Sequence, residues 1–200
     1  MNAVSCDLDR APTLVASTLP FLNSISVGMP RMPYFDGVDW FHFTGITPAL
    51  SDSLVDICRE ACRAAKAKGI KISCDLNYRK NLWTSLKAGQ VMSELMEYVD
   101  VCIANEEDAE KVFGIKAGGS DVSKGNLDRR GYEEVAQKLM ERFHLEHVAI
   151  TLRGSISASE NTWAGILYDG KQFCESKEYK INLVHRVGGG DSFGGGLIYA

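Results

Sequence analysis

What most restricts the fold of this chain is an alternation that occurs four times between residues 39 and 152: a short apolar run, then a stretch of helical period. The run Asp39-Trp40-Phe41-His42-Phe43-Thr44-Gly45 reads as a buried strand ending in a glycine turn. Ser51 or Ser53 then caps a helix whose apolar residues Leu54, Ile57, Cys58, Ala61 and Ala65 share one face, and Gly69 closes it. Residues 70–76, 99–104 and 147–152 read as further strands, with helices over 88–98, 106–113 and 132–143. Such an order predicts an α/β fold with a mostly parallel sheet and helices on both of its faces.

The pattern changes after Arg153. Residues 162–168 and 173–179 are strand-like and flank Asp169-Gly170, a hairpin signal, so a late β-hairpin region is expected. A third run over 180–185 feeds a glycine-rich turn, and from Ser192 the chain reads as helix. It stops in mid-helix at Leu197-Ile198-Tyr199-Ala200 without a C-cap, which reads as truncation. Residues 1–34 carry four prolines and no period, and predict an irregular segment ahead of a partial domain over 35–200. Residues 117–130 are polar and read as a loop.

Charge and composition exclude some functions. The 26 acidic residues outnumber the 22 Lys and Arg, which argues against nucleic acid as the main partner. No apolar stretch is long enough to span a membrane, and no basic n-region precedes an apolar core. The six cysteines are spread through apolar surroundings. Cys58 and Cys62 are spaced as metal ligands on a helix would be, but no further His or Cys pair accompanies them, so they read as small buried hydrophobes. Reduced thiols without a targeting signal suggest the cytoplasm.

The segment Arg186-Val187-Gly188-Gly189-Gly190-Asp191-Ser192-Phe193-Gly194-Gly195-Gly196 carries the strongest chemical signal. Glycines free the backbone to turn its N–H groups into a concavity, and the helix that follows adds its positive end. A carboxylate beside bound phosphates is repelled by them and is tolerated there only with work to do, such as accepting the proton of an attacking hydroxyl. The plainer alternative is a glycine-rich helix start with Asp191 as its N-cap. The loop is neither a Walker motif nor a dinucleotide fingerprint, which disfavours an oxidoreductase.

The stretch Val187-Gly-Gly-Gly-Asp191-Ser-Phe-Gly-Gly-Gly196 resembles the C-terminal signature of the ribokinase-like, or PfkB, carbohydrate kinases. Trp40-Phe-His-Phe-Thr-Gly-Ile-Thr-Pro-Ala-Leu50, Asp75-Leu-Asn-Tyr-Arg79 and Ala104-Asn-Glu-Glu-Asp-Ala109 follow the same order as in its 2-keto-3-deoxygluconate kinase branch. The resemblance implies a ribokinase-like fold and transfer of the γ-phosphoryl group of ATP to a primary hydroxyl of a small sugar or sugar acid. It implies Asp191 as catalytic base and the amides of Gly188, Gly189 and Gly190 as an anion hole.

By the same resemblance Arg79 reaches the acid sugar and the phosphates. Asn77, Thr151, Arg153 and Gly154 contact the nucleotide. Asn105, with Glu107 or Asp108, organises Mg²⁺ and phosphate through water. The bland readings are an Asx-type turn at Asn77, a strand end at Thr151, and an acidic first helical turn after Asn105. Two departures stand out. Asp108 replaces the family's Glu, and His185 replaces an Asp that helps order a monovalent cation. The resemblance further implies homo-oligomers in full-length relatives. An inactive remnant with at most weak nucleotide binding remains the competing expectation.

Overall fold

A computed structural model describes residues 35–116, 129–157, 159–182 and 187–200, together with the main chain of 13–15. Strands β1 (Thr13–Val15), β2 (Trp40–Thr44), β3 (Lys71–Asp75), β4 (Val101–Ala104) and β5 (His147–Ser155) run parallel in that spatial order. β6 (Glu160–Tyr168) then lies antiparallel on β5, and both β7 (Phe173–Glu175) and β8 (Tyr179–Asn182) pair with β6. The sheet therefore begins earlier than the proline-rich composition of residues 1–34 suggests, because β1 adds to the β2 edge.

The connecting helices are α1 (Ile46–Ala49), α2 (Asp52–Ala67), α3 (Ser85–Met96), α4 (Glu106–Phe113) and α5 (Arg129–Phe143). Ser51 caps α2, its Oγ accepting from Leu54 N at 3.2 Å. α3 starts a turn before Ala88, because Thr84 caps it through Lys87 N. α5 likewise starts ahead of Tyr132, at Arg129, which lies in the stretch expected to be loop; residues 117–128, like the run 183–186, lie outside the described residues.

Alternation along the strands divides the sheet into two faces. Phe41, Phe43, Ile72, Cys74, Cys102, Ala104, Val148 and Ile150 point to one face and join a single core with α2, α3, α4 and α5. Each Leu- or Ile-sized side chain buried there contributes about 2 kcal/mol. Cys58, Cys62, Cys74 and Cys102 are free and buried in it, and burial pushes the Cys58 thiol up to about 12. Cys174 differs from the expected burial: it is exposed.

Trp40, His42, Ser73, Ile103 and Thr151 face the other way. There the last helix, α6 (Gly189–Tyr199), crosses the sheet. A Cβ added at Gly194 would stand 3.5 Å from Ile103 Cδ1 and 4.0 Å from His42 Nε2. Helices thus cover both faces, but unequally.

The late region departs from one hairpin plus one further run. Asp169 Oδ1 accepts from the main-chain N–H of Lys171 and Gln172, both at 2.8 Å, and makes the expected turn. Residues 173–179 do not continue as one strand. Ser176 interrupts them: its N–H donates to Gly165 O and its Oγ accepts from Gly165 N, each at 2.9 Å. The side chain replaces a ladder bond, so β7 ends and β8 resumes further along β6.

Candidate active site

The parallel strands β2, β3, β4 and β5 all end at one edge of the sheet, where open α/β sheets receive ligands. A cavity of about 420 Å³ opens there. Its sheet side is lined by Asp75, Asn77, Arg79, Asn105, Asp108, Thr151 and Arg153. Gly188, Gly189, Gly190 and Asp191 line it from the side of α6. Of the residues singled out in the sequence, Gly154 and Glu107 are not in this lining. Gly154 faces Thr162 instead, where a Cβ would stand 2.3 Å from Oγ1.

Gly45 places the β3 end. Its N–H donates to Asp75 O at 2.8 Å, and a Cβ there would stand 2.2 Å from Leu76 O, so only glycine allows the approach. Beyond Asp75 the chain turns sharply at Asn77, with φ of 38°. Asn tolerates this left-handed conformation better than most residues. Its Nδ2 donates to Thr44 Oγ1 at 3.2 Å, tying the turn to β2.

Asp108 is buried under this turn. Its Oδ1 accepts from Tyr78 N at 3.2 Å and its Oδ2 from Asn105 Nδ2 at 3.0 Å. Asn105 in turn caps α4, its Oδ1 accepting from Asp108 N at 2.7 Å. Burial, helped by the charge of Asp75, pushes the Asp108 carboxyl up to about 7, against the Tyr78 N–H and Arg79. Burial also raises Asp75 to about 6. The main-chain N–H of Asn77 opposes that rise, the charge of Asp191 adds to it, and Arg79 and Arg153 oppose it.

The α6 side is built differently. Gly188 is the N-cap, with φ of 83° and no side-chain cap, so Asp191 is the third residue of the helix and not its cap. That removes the plainest alternative for this carboxylate. Asp191 is exposed. The first turn of α6 leaves N–H groups without helical partners beside the cavity, a setting that attracts anions. Phe193 packs against Gly165, where a Cβ would stand 2.9 Å from Cε2.

The sequence matches the description "pfkB family carbohydrate kinase" over residues 30–200. The chain belongs to the PfkB family of carbohydrate kinases. Its sequence is 28% identical over 158 residues to the 2-dehydro-3-deoxygalactonokinase of Haloferax volcanii, covering 79% of this chain and 43% of that protein. A 2-dehydro-3-deoxygluconokinase structure from Thermotoga maritima superposes with a TM-score of 0.76 at 48% identity, over 82% of this chain and 48% of that one. A PfkB family carbohydrate kinase from Listeria grayi gives 0.75 at 32% identity, over 90% and 52%. This PfkB chain thus spans about half the length of these relatives. The ribokinase-like reading of the sheet holds.

The cavity and its surroundings include residues to which the motif readings assign no role. Thr44 and Thr47 line the cavity, and Phe193 closes it near α6. His42 lies under α6 with its Nδ1 2.8 Å from Ser73 Oγ, which also accepts from Trp40 Nε1 at 2.8 Å. Burial holds His42 down to about 4, against the attraction of Asp191. The parity of Trp40, His42 and Thr44 on β2 was the available signal. What stands opposite them depends on α6, far along the chain.

The residues expected near Mg²⁺ spend much of their capacity within the protein: Asn105 Oδ1 and both Asp108 oxygens already accept hydrogen bonds. The described residues contain no group of three or more His, Cys, Asp or Glu able to hold a metal. Such donors suit a cation that arrives with phosphates and keeps its waters. Among the described residues no helix is long and apolar enough to cross a membrane.

Proposed function

We propose that this chain carries the phosphoryl-transfer site of an ATP-dependent kinase for a 2-keto-3-deoxy sugar acid. The observation that supports it most is the shared cavity: the glycine turn and Asp191 face Arg79, Arg153, Asn105 and Asp108 across about 420 Å³. Carboxylates on both sides make it a poor general anion sink. Arginines and a helix N-terminus make it a good place for phosphates. The names of the Haloferax and Thermotoga relatives support the choice of acceptor.

In this reading Asp191 accepts the proton of the primary hydroxyl as its oxygen bonds to the γ-phosphorus. The bond to the bridging oxygen breaks, and ADP leaves with that electron pair. Amides of Gly188, Gly189, Gly190 and Asp191 stabilise the equatorial oxygens. Arg79 takes the substrate carboxylate or a phosphate in bidentate fashion, while Arg153, Thr151 and Asn77 face the nucleotide. Mg²⁺, held through water by Asn105 with Asp108, would neutralise charge on the outer phosphates.

A second reading, nucleotide binding without transfer, draws on the uneven covering of the sheet, since α6 alone lies on its second face among the described residues. An assay of ADP release with 2-keto-3-deoxygluconate, fructose, ribose and no sugar separates the two. Release with the sugar acid that Asp191→Asn abolishes supports the kinase. Release from no acceptor, with ADP still bound, leaves only the second reading.

A further inference from the structure

Trp163 lies between Arg153 and the start of α6, at one end of the cavity. It pairs directly with Arg153 across the antiparallel β5–β6 ladder, so both side chains stand on the face that α6 covers. The Arg153 guanidinium carbon is 4.3 Å from the centroid of the indole. On the same ring, a Cβ at Gly189 would stand 3.5 Å from Cη2 and 3.6 Å from Cζ3. Arg153 and Gly189 both line the cavity, whereas Trp163 does not. One ring therefore carries the cation of one strand and stands beside the first residue of the phosphate-facing helix, with room for little more than a methyl group between them.

We infer that Trp163 is a positioning residue: it holds the Arg153 guanidinium and the Gly189 turn in one arrangement, so that both meet the same phosphate chain. An arginine on a strand end has many rotamers, and stacking on an indole selects those that lie flat over it. The turn has the opposite problem, since it has no side chains of its own to anchor it. The indole edge supplies an anchor without occupying the cavity. One further approach on β6 acts in the same sense, because Gly165 admits Phe193 from the next turn of α6. The inference rests on the reading of this turn as a phosphate site.

The test uses Trp163→Leu, Trp163→Phe and Arg153→Met in this chain, with ADP as the probe. In ¹H–¹⁵N spectra without ligand, Trp163→Leu moves both the Gly189 amide and the Arg153 Nε resonance through loss of the ring current. By calorimetry, Trp163→Leu weakens ADP binding about fivefold, the equivalent of one exposed cation–π contact, and Trp163→Phe restores most of it. In the Arg153→Met background the same substitution costs less than half as much, a coupling that a merely structural residue would not show. Unmoved resonances overturn the proposal, as does an affinity loss that is equal with and without Arg153. If the parent chain fails to bind ADP although the resonances move, the phosphate-site reading fails first. The contact is then architectural only, which overturns the positioning role as well.

Discussion

The two sides of the cavity are held in different ways. Asp75 and Asp108 stand on the sheet edge, buried, bonded to neighbouring main chain and pushed up by their surroundings to about 6 and about 7. Asp191, three residues into α6, is exposed, and of that helix only Gly194 is buried. On the sheet side, function and folding stability are therefore coupled, because each carboxylate is charged at a cost to the native state. On the helix side the carboxylate stands in solvent, outside the packed core. A group that must exchange a proton with a substrate gains from such freedom, while groups that fix geometry gain from burial.

The sharpest way to break this contrast is Asp191→Asn. Turnover should fall by about 10²- to 10⁴-fold, as for loss of a general base, with stability changed by less than about 0.5 kcal/mol. A fall in activity matched by a large fall in denaturation midpoint would place Asp191 among the structural carboxylates. On the sheet side, Gly45→Ala should destabilise the chain by about 3 kcal/mol in urea, because a methyl group has nowhere to go 2.2 Å from Leu76 O. A cost below about 1 kcal/mol would mean that the β3 end yields easily.

The pH dependence of Asp75→Asn sharpens the comparison further. The carboxyl of Asp75 ordinarily ionises near 3.8, and in the native chain near 6. Below the lower value both states are protonated and the group is neutral to stability. Between the two the unfolded state ionises first, so the native state loses stability as pH rises through that window. Asp75→Asn should therefore gain on the parent between about pH 4 and 6, by on the order of 3 kcal/mol, and hold the gain at pH 8. His42 gives the opposite slope: with its native value near 4, below the ordinary 6.5, its stability contribution is lost as pH falls through that range. Thermal melts from pH 4 to 8 would show both. The smallest effect belongs to Val187→Ser beside the glycine turn, where the side chain is 94% exposed: less than about 0.5 kcal/mol in the same melts.

Particular residues show how far the sequence could be read. The helix over 106–113 was legible to the residue, and the structure shows what sets its ends: Asn105 caps it and Gly114 ends it in the left-handed region with φ of 69°. The interruption at Ser176 was not, since nothing local distinguishes a serine that replaces a ladder bond from one that faces solvent. The residues named from family resemblance line one cavity, except Gly154 and Glu107, which are not in its lining. Trp163 escaped notice because its partners come from another strand and another helix.

What the sequence determined by itself is local: the alternation of apolar period that demands a parallel sheet, a serine cap at Ser51 or Ser53, and a glycine turn ahead of a helix. Those depend on neighbours within a few residues, where sterics and hydrogen bonding leave few choices. Only the tertiary structure decided that Asp191 is not a cap, that Asp75 and Asp108 share one low-dielectric corner, and that Arg153 rests on an indole. Burial and electrostatic coupling depend on what stands opposite in space, and strand parity fixes a side chain's face without naming its partner.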